Sequence, residues 1–400
     1  MDNGKPLNNG WQHPTTNYDP LPSSLTEVEI FSRNSSQILY PLADGHAGQY
    51  DEPWWKSTVN KLPAFDLQAA KLSDREAEKS FFKSFNRLFN QFGAQEFQNY
   101  KVLPNASMSI EVMMGVAKRR NMSVMLLEPC FDNLYRYGLE KGISIQSLPE
   151  DDLFQKGIDA VDTQRVDFLM IVSPNNPTGC TLDSQLLKQL AEQCARDRVT
   201  LVIDASFRAY DTTGADHYSI VKEAGCSWAI IEDTGKTWCT RERKASILSC
   251  SNDLKKDVNE IVEIHVLGWS TPILCMLTHL ADTFENIGLD KALRQRVSHS
   301  RALIRKAIGG TILRPATVAL NSTLPVEWIE VLDDRFDDLA IVKHLTNYGI
   351  GVLPGRHFYF SNAARSSKPA KQFIRVSLLK EQNMLESAAA ELRRALLEIR

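Results

Sequence analysis

Phe168-Leu169-Met170-Ile171-Val172-Ser173-Pro174-Asn175-Asn176-Pro177-Thr178-Gly179 decides the fold. Its five leading apolar residues have no polar face to give to water, and Ser-Pro, Asn-Pro and Thr-Gly close them with turn formers, so the run suits a strand buried on both sides. Val124-Met125-Leu126-Leu127, Thr200-Leu201-Val202-Ile203 and Trp228-Ala229-Ile230-Ile231 have the same texture. Between Val172 and Thr200, Leu187, Leu190, Ala191 and Cys194 recur at helical spacing behind Asp183, an N-cap residue type, and the pattern stops before Val199. Strand, helix, strand in that order predicts a right-handed parallel crossover and an α/β fold.

Beyond residue 290 the texture changes. Glu327-Trp328-Ile329-Glu330-Val331, a helix near Phe336 to Tyr348, the run Phe373-Ile374-Arg375-Val376-Ser377 and a final amphipathic helix carrying Leu385, Ala388, Leu392 and Leu396 predict a smaller α+β domain. Residues 1–24, rich in Asn, Pro, Thr and Ser, read as a polar tail that cannot bury enough surface to order itself. The remaining divisions expected are 25–50 as an N-terminal helix and loop, 51–290 as a large domain and 291–400 as a small one.

The 400 residues, 43% of them hydrophobic, suffice for a large core. A formal net charge of -3 with no basic run supplies no field for nucleic acid or an anionic membrane, so a charged ligand has to be caught locally. The seven cysteines are scattered and lack a CxxC pair, which argues against a disulfide framework and a zinc site and fits a reducing cytoplasm. No stretch approaches the roughly 18 apolar residues of a membrane span, and Met1-Asp2-Asn3-Gly4-Lys5 leads into polar sequence without the apolar segment of a secretory signal. The expectation is a cytoplasmic protein with a small-molecule ligand and no bound metal.

Ligands of open α/β sheets bind beyond the carboxyl ends of the strands. Asn176 follows one apolar run, Asp204 ends the next, and Lys236, in Glu232-Asp233-Thr234-Gly235-Lys236, lies just past the third, so all three fall on one sheet edge. Pyridoxal phosphate requires an amine for a Schiff base, a carboxylate that keeps its pyridine nitrogen protonated, and a donor to its phenolic oxygen. Lys236, Asp204 and Asn176 supply these in turn. Taken singly, each has a plainer reading: a solvated strand end, a helix cap or structural ion pair, and a turn.

From residue 25 onward the chain resembles the fold type I pyridoxal phosphate enzymes, specifically the class I/II aminotransferases. That resemblance implies a large domain with a mainly parallel sheet, a smaller α+β C-terminal domain, and a homodimer with active sites near the dimer interface. Asn105-Ala106-Ser107-Met108-Ser109, ahead of the apolar helix Ile110 to Val116, fits a phosphate loop through Ala106 and Ser107, with Thr234 adding a hydroxyl. Lys244 stands where aminotransferases usually carry an arginine on the phosphate, a change that keeps the charge and loses the bidentate fork. Phe131 matches the aromatic that stacks on the pyridine ring, and Arg375 the arginine that grips the substrate α-carboxylate. An arginine within an apolar strand is costly to bury without an anion, and an interdomain salt bridge is the other way to satisfy it.

A narrower resemblance lies in Leu42-Ala43-Asp44-Gly45-His46-Ala47, Cys130-Phe131-Asp132-Asn133-Leu134, Asp204-Ala205-Ser206-Phe207-Arg208 and Ile231-Glu232-Asp233-Thr234-Gly235-Lys236-Thr237-Trp238. These look like the pyridoxal phosphate- and O2-dependent L-arginine oxidases of enduracididine-type biosynthesis. The resemblance implies that residues 25–50 form a lid over the substrate, that His46 acts in catalysis, and that Glu29, Asp44 and Asp233, with Thr26, bind the guanidinium. It implies 4-hydroxy-2-oxoarginine and/or 2-oxoarginine as products, with ammonia and peroxide. A guanidinium, which does not lose its proton, does need carboxylates in fork geometry, although each acid alone reads as a solvated surface residue. Two departures bear on the lid: the connection between Glu29 and Asp44 is a few residues longer than in a relative of that family, and Gly48 replaces an arginine there. A 4,5-desaturating arginine oxidase without hydroxylation and an aminotransferase acting on a basic amino acid remain open. A cofactor-sensing regulator would need a DNA-binding module, for which the tail is too short.

Overall fold

The protein is described here from a computed structural model, over residues 24–94 and 99–399. The expected polar tail at 1–24 lies, apart from Ser24, outside the described residues.

The described residues open with a helix, α1 (Leu25–Asn34), whose N-cap Ser24 accepts from Glu27 N–H, and reach a two-residue strand, β1 (Tyr40–Pro41). The apolar runs then form the strands expected of them. β2 (Tyr100–Leu103), β3 (Val124–Glu128), β4 (Ile145–Pro149), β5 (Phe168–Val172), β6 (Thr200–Asp204), β7 (Ser227–Asp233) and β8 (Ser246–Cys250) make one seven-stranded sheet in the order β2-β8-β7-β6-β5-β3-β4. Pairing is parallel throughout except at β8, which runs antiparallel to both β7 and β2. Every residue of β3, β5, β6 and β8 is buried, as their unbroken apolar texture requires, and each Leu, Ile, Val or Phe so enclosed contributes about 1.5–3 kcal/mol.

The crossover between β5 and β6 is the helix Ser184–Asp197. Asp183 caps it by accepting from Leu186 N–H at 2.8 Å, worth about 1 kcal/mol, and Leu187, Leu190, Ala191 and Cys194 are its buried face. The helix expected over Ile110 to Val116 is longer, Ala106–Arg119, because Asn105 caps it through Met108 N–H. The phosphate-loop candidates Ala106 and Ser107 are therefore its first two residues.

A second sheet is built from β9 (Leu313–Pro315), β10 (Val326–Val331), β12 (Leu353–Pro354) and β13 (Phe373–Ser377), antiparallel in the order β12-β13-β10-β9; β11 (Ile350–Gly351) pairs instead with β1. The helix expected near Phe336 to Tyr348 spans Asp338–Thr346, and the last helix, Gln382–Leu397, buries Leu385, Ala388, Leu392 and Leu396. Arg375 sits mid-strand opposite Trp328 on one side and Leu353 on the other. Among the described residues no helix is long and apolar enough to cross a membrane.

Candidate active site

β5, β6 and β7 run parallel, so the residues at their carboxyl ends share an edge: Asn176 after β5, Asp204 at the end of β6, Lys236 after β7. Asp204 is buried, with Oδ1 accepting from Ser206 N–H at 2.9 Å and Ser206 Oγ at 2.5 Å. Burial pushes its carboxyl upward, offset in part by those bonds and by the Lys236 charge. A buried carboxylate of this kind is stabilised by a cationic N–H partner. Lys236 is half-buried, and its carbonyl accepts from Tyr210 O–H at 2.9 Å, which ties the loop after β7 to the turn after β6. Arg208, one turn from Asp204, donates to Glu232 at 2.9 Å inside the core and braces the same two segments.

The segment Asp44-Gly45-His46 folds over this edge. Asp44 Oδ1 accepts from His46 Nδ1 at 2.6 Å, and His46 Nε2 faces Lys244 Nζ at 3.2 Å. A carboxylate can only accept and an ammonium can only donate, so the imidazole is held with the proton on Nδ1 and the lone pair on Nε2. The nearby Lys236 charge, then burial, hold the His46 pKa below its ordinary value of 6.5, and the ring is neutral at pH 7. Burial works to raise Asp44, but the His46 hydrogen bond and the Lys380 charge win and hold it far below the usual carboxylate range. Lys380, which sequence reasoning missed although it follows the apolar run after Arg375, is buried and donates to Asp44 O at 2.7 Å.

Arg375 is 1% exposed. It donates to Glu29 Oε1 at 3.0 Å, Ala43 O at 2.5 Å and Asn176 Oδ1 at 3.2 Å, while its Nε has no partner. The structure thus pairs two residues assigned to opposite ends of a substrate. With its oxygen held by Arg375, the Asn176 amide has its N–H groups left to donate. Asp233 is buried and accepts from Gly235 N–H at 3.0 Å.

The Thr234 hydroxyl donates to Ala245 O at 3.0 Å and accepts from Ala245 N–H at 2.8 Å, which pins the loop. Lys244 reaches His46. Ser107 Oγ accepts a long bond, 3.4 Å, from Asn133. Phe131 is partly buried, edge-on to Phe358 at 6.3 Å. Thr26 is exposed, one turn before Glu29 on α1 and about 60° around the helix from it at 100° per residue.

Two further acids escaped the sequence reading. Asp132 accepts from Leu25 N–H at 3.0 Å and so anchors α1; burial pushes its carboxyl to about 6. Glu150 is buried and accepts from Asn175 Nδ2 at 2.6 Å and Thr178 Oγ1 at 2.5 Å, stapling the turn on both sides of Asn176. Burial, only partly offset by those bonds, raises Glu150 from 4.5 to about 7. A carboxyl whose folded pKa is raised costs stability as pH climbs from its unfolded to its folded pKa, here about 3 kcal/mol gained as a penalty between pH 4.5 and 7. Glu150→Gln keeps an acceptor for Asn175 and Thr178, and its melting temperature is expected to gain on the wild type across that window. Parallel melting curves would contradict this.

An amine, a buried carboxylate, an amide, a capped helix start and an aromatic ring on one edge fit pyridoxal phosphate. The family model for aminotransferase class I and II matches residues 109–392. The chain belongs to that family. Pyridoxal phosphate is the cofactor expected of this fold. As a class I and II aminotransferase-family chain, it is similar to MppP, whose structure soaked with the product 2-ketoarginine shares 27% identity at a TM-score of 0.80, covering 88% of this chain and 98% of that one. YbdL from Escherichia coli, identified as having a methionine aminotransferase function, shares 14% identity at a TM-score of 0.72 over 93% of this chain and 97% of that one. A double mutant of Thermus thermophilus aspartate aminotransferase shares 16% at 0.71 over 94% and 97%. These last two speak to fold alone.

Proposed function

We propose that the chain is a pyridoxal phosphate-dependent, O2-consuming L-arginine oxidase. The observation that carries this reading is the Asp44–His46 pair beside Lys236, a second base of fixed tautomer that transamination does not call for. The likeness to MppP, with 2-ketoarginine as its product, supports the substrate class. Lys236 attaches the cofactor and then removes the substrate Cα proton, while Asp204 keeps the ring nitrogen protonated and Asn176 donates to the phenolic oxygen. Bound pyridoxal phosphate supplies the electron sink for that cleavage. Ala106 and Ser107 offer their helix-start N–H groups to the phosphate, with Lys244 as counter-charge, and Phe131 covers the ring.

Arg375 takes the α-carboxylate, and Glu29, Asp44 and Asp233, with Thr26, take the guanidinium. Dioxygen, in place of a second amino acceptor, removes two electrons per oxidation and leaves as peroxide. After a second oxidation His46 Nε2 takes a proton from the water that adds at Cγ, giving 4-hydroxy-2-oxoarginine once ammonia has left; a single oxidation ends at 2-oxoarginine. The working unit is a homodimer, with 51–290 and 291–400 as its large and small domains and 25–50 as the lid. Turnover of L-arginine is expected to exceed that of L-lysine, and both that of L-glutamate. Asp233→Ala is expected to lower arginine turnover by hundreds-fold, the kinetic equivalent of about 3–5 kcal/mol for an orphaned charge. Equal activity on glutamate would contradict the reading.

A further inference from the structure

The Arg375 guanidinium has five N–H donors, and their use constrains what can bind. Nη2 gives both of its protons away, one to Glu29 Oε1 and one to Ala43 O; Nη1 gives one to Asn176; Nε, fully enclosed, has no partner. A carboxylate gripped in fork geometry needs two adjacent nitrogens, and both forks of a guanidinium, Nε with Nη2 and Nη1 with Nη2, include Nη2. Ala43 O is backbone in a stretch pinned on each side, by Ser377 N–H to Leu42 O at 2.7 Å and by Lys380 Nζ to Asp44 O at 2.7 Å. Glu29 is the partner that can leave. Its carboxylate therefore stands where an incoming carboxylate has to go.

One turn further along α1, Arg33 Nε lies 3.4 Å from Asp44 Oδ2. Residues four apart on a helix share a face, so α1 presents a carboxylate and a guanidinium side by side, the first on Arg375 and the second on Asp44. We infer that α1 carries a built-in mimic of a guanidino acid: Glu29 and Arg33 hold the two charge positions that L-arginine takes, and substrate binds by exchanging its own ion pairs for theirs. This inference rests on the arginine reading. A ligand with both charges replaces both contacts; a lone carboxylate displaces Glu29 and leaves that buried group without its partner, whereas a lone cation displaces Arg33, which is exposed enough to turn to water. The mimic is thus a specificity filter, and it lowers every measured affinity by the fraction of molecules in which it is seated.

The test is calorimetric titration of the holoenzyme with three ligands that lack an α-amino group: δ-guanidinovalerate with both charges, valerate with the carboxylate alone, and butylguanidine with the cation alone. Glu29→Gln removes the competing carboxylate, so valerate is expected to bind about tenfold more tightly or better, while δ-guanidinovalerate weakens for want of its acid. Arg33→Gln is expected to tighten butylguanidine and δ-guanidinovalerate severalfold and to leave valerate unchanged. Valerate unchanged or weaker in Glu29→Gln, or butylguanidine unchanged or weaker in Arg33→Gln, would overturn the mimic. If the wild type does not prefer δ-guanidinovalerate over valerate, the arginine reading itself fails; a preserved preference with unmoved single-charge ligands overturns the mimic alone.

Discussion

Lys236→Ala is expected to lose the borohydride-reducible link to pyridoxal phosphate and to lower turnover by about 10⁴-fold or more, since one amine serves both as attachment point and as base. Lys236 lies past β7, near enough to His46, Asp204 and Lys380 for its charge to act on all three, whereas the neighbouring lysines are engaged elsewhere. Lys244 is turned to His46 and Lys380 to Asp44 O. Peptide mapping after reduction distinguishes the cases. A reducible link that persists in the variant, at Lys244 or Lys380, would mean that the attachment point is misassigned.

His46→Ala is expected to bind L-arginine and consume oxygen, yet to divert almost all product from the hydroxylated acid to 2-oxoarginine. Lys236 already serves the Cα proton, whereas the histidine belongs to the Asp44-Gly45-His46 segment folded over the site, with Nε2, which faces Lys244 Nζ, as its basic atom. Because its pKa lies below 6.5, its basic form persists into mildly acidic solution, and hydroxylation in the wild type is expected to fall only below that pH. Product ratios by mass spectrometry check this. An unchanged ratio at full rate would assign His46 to structure.

The residues legible in the sequence are those whose signal is local. Unbroken apolar runs report strands buried on both faces, and the motif after each run places Asn176, Asp204 and Lys236 on one edge. Asp183 and its helix were readable for the same reason. What stayed hidden depends on contacts between distant segments. Arg375 meets Glu29 across 346 positions, Lys380 meets Asp44 across 336, and no spacing rule reports either. Glu150 looks like an ordinary acid in an acidic turn until the fold closes it around Asn175 and Thr178. The contact of Thr234 with Ala245, made by the antiparallel turn into β8, is of the same hidden kind.

The account stands or falls on whether dioxygen is the electron acceptor for arginine. Holoenzyme with L-arginine in an oxygen electrode, with no oxo acid added, is expected to consume oxygen with matching release of ammonia and peroxide, and mass spectrometry of the mixture is expected to show 4-hydroxy-2-oxoarginine together with 2-oxoarginine. No oxygen uptake, with turnover appearing only when a 2-oxo acid is supplied, would make the protein an aminotransferase and contradict the account.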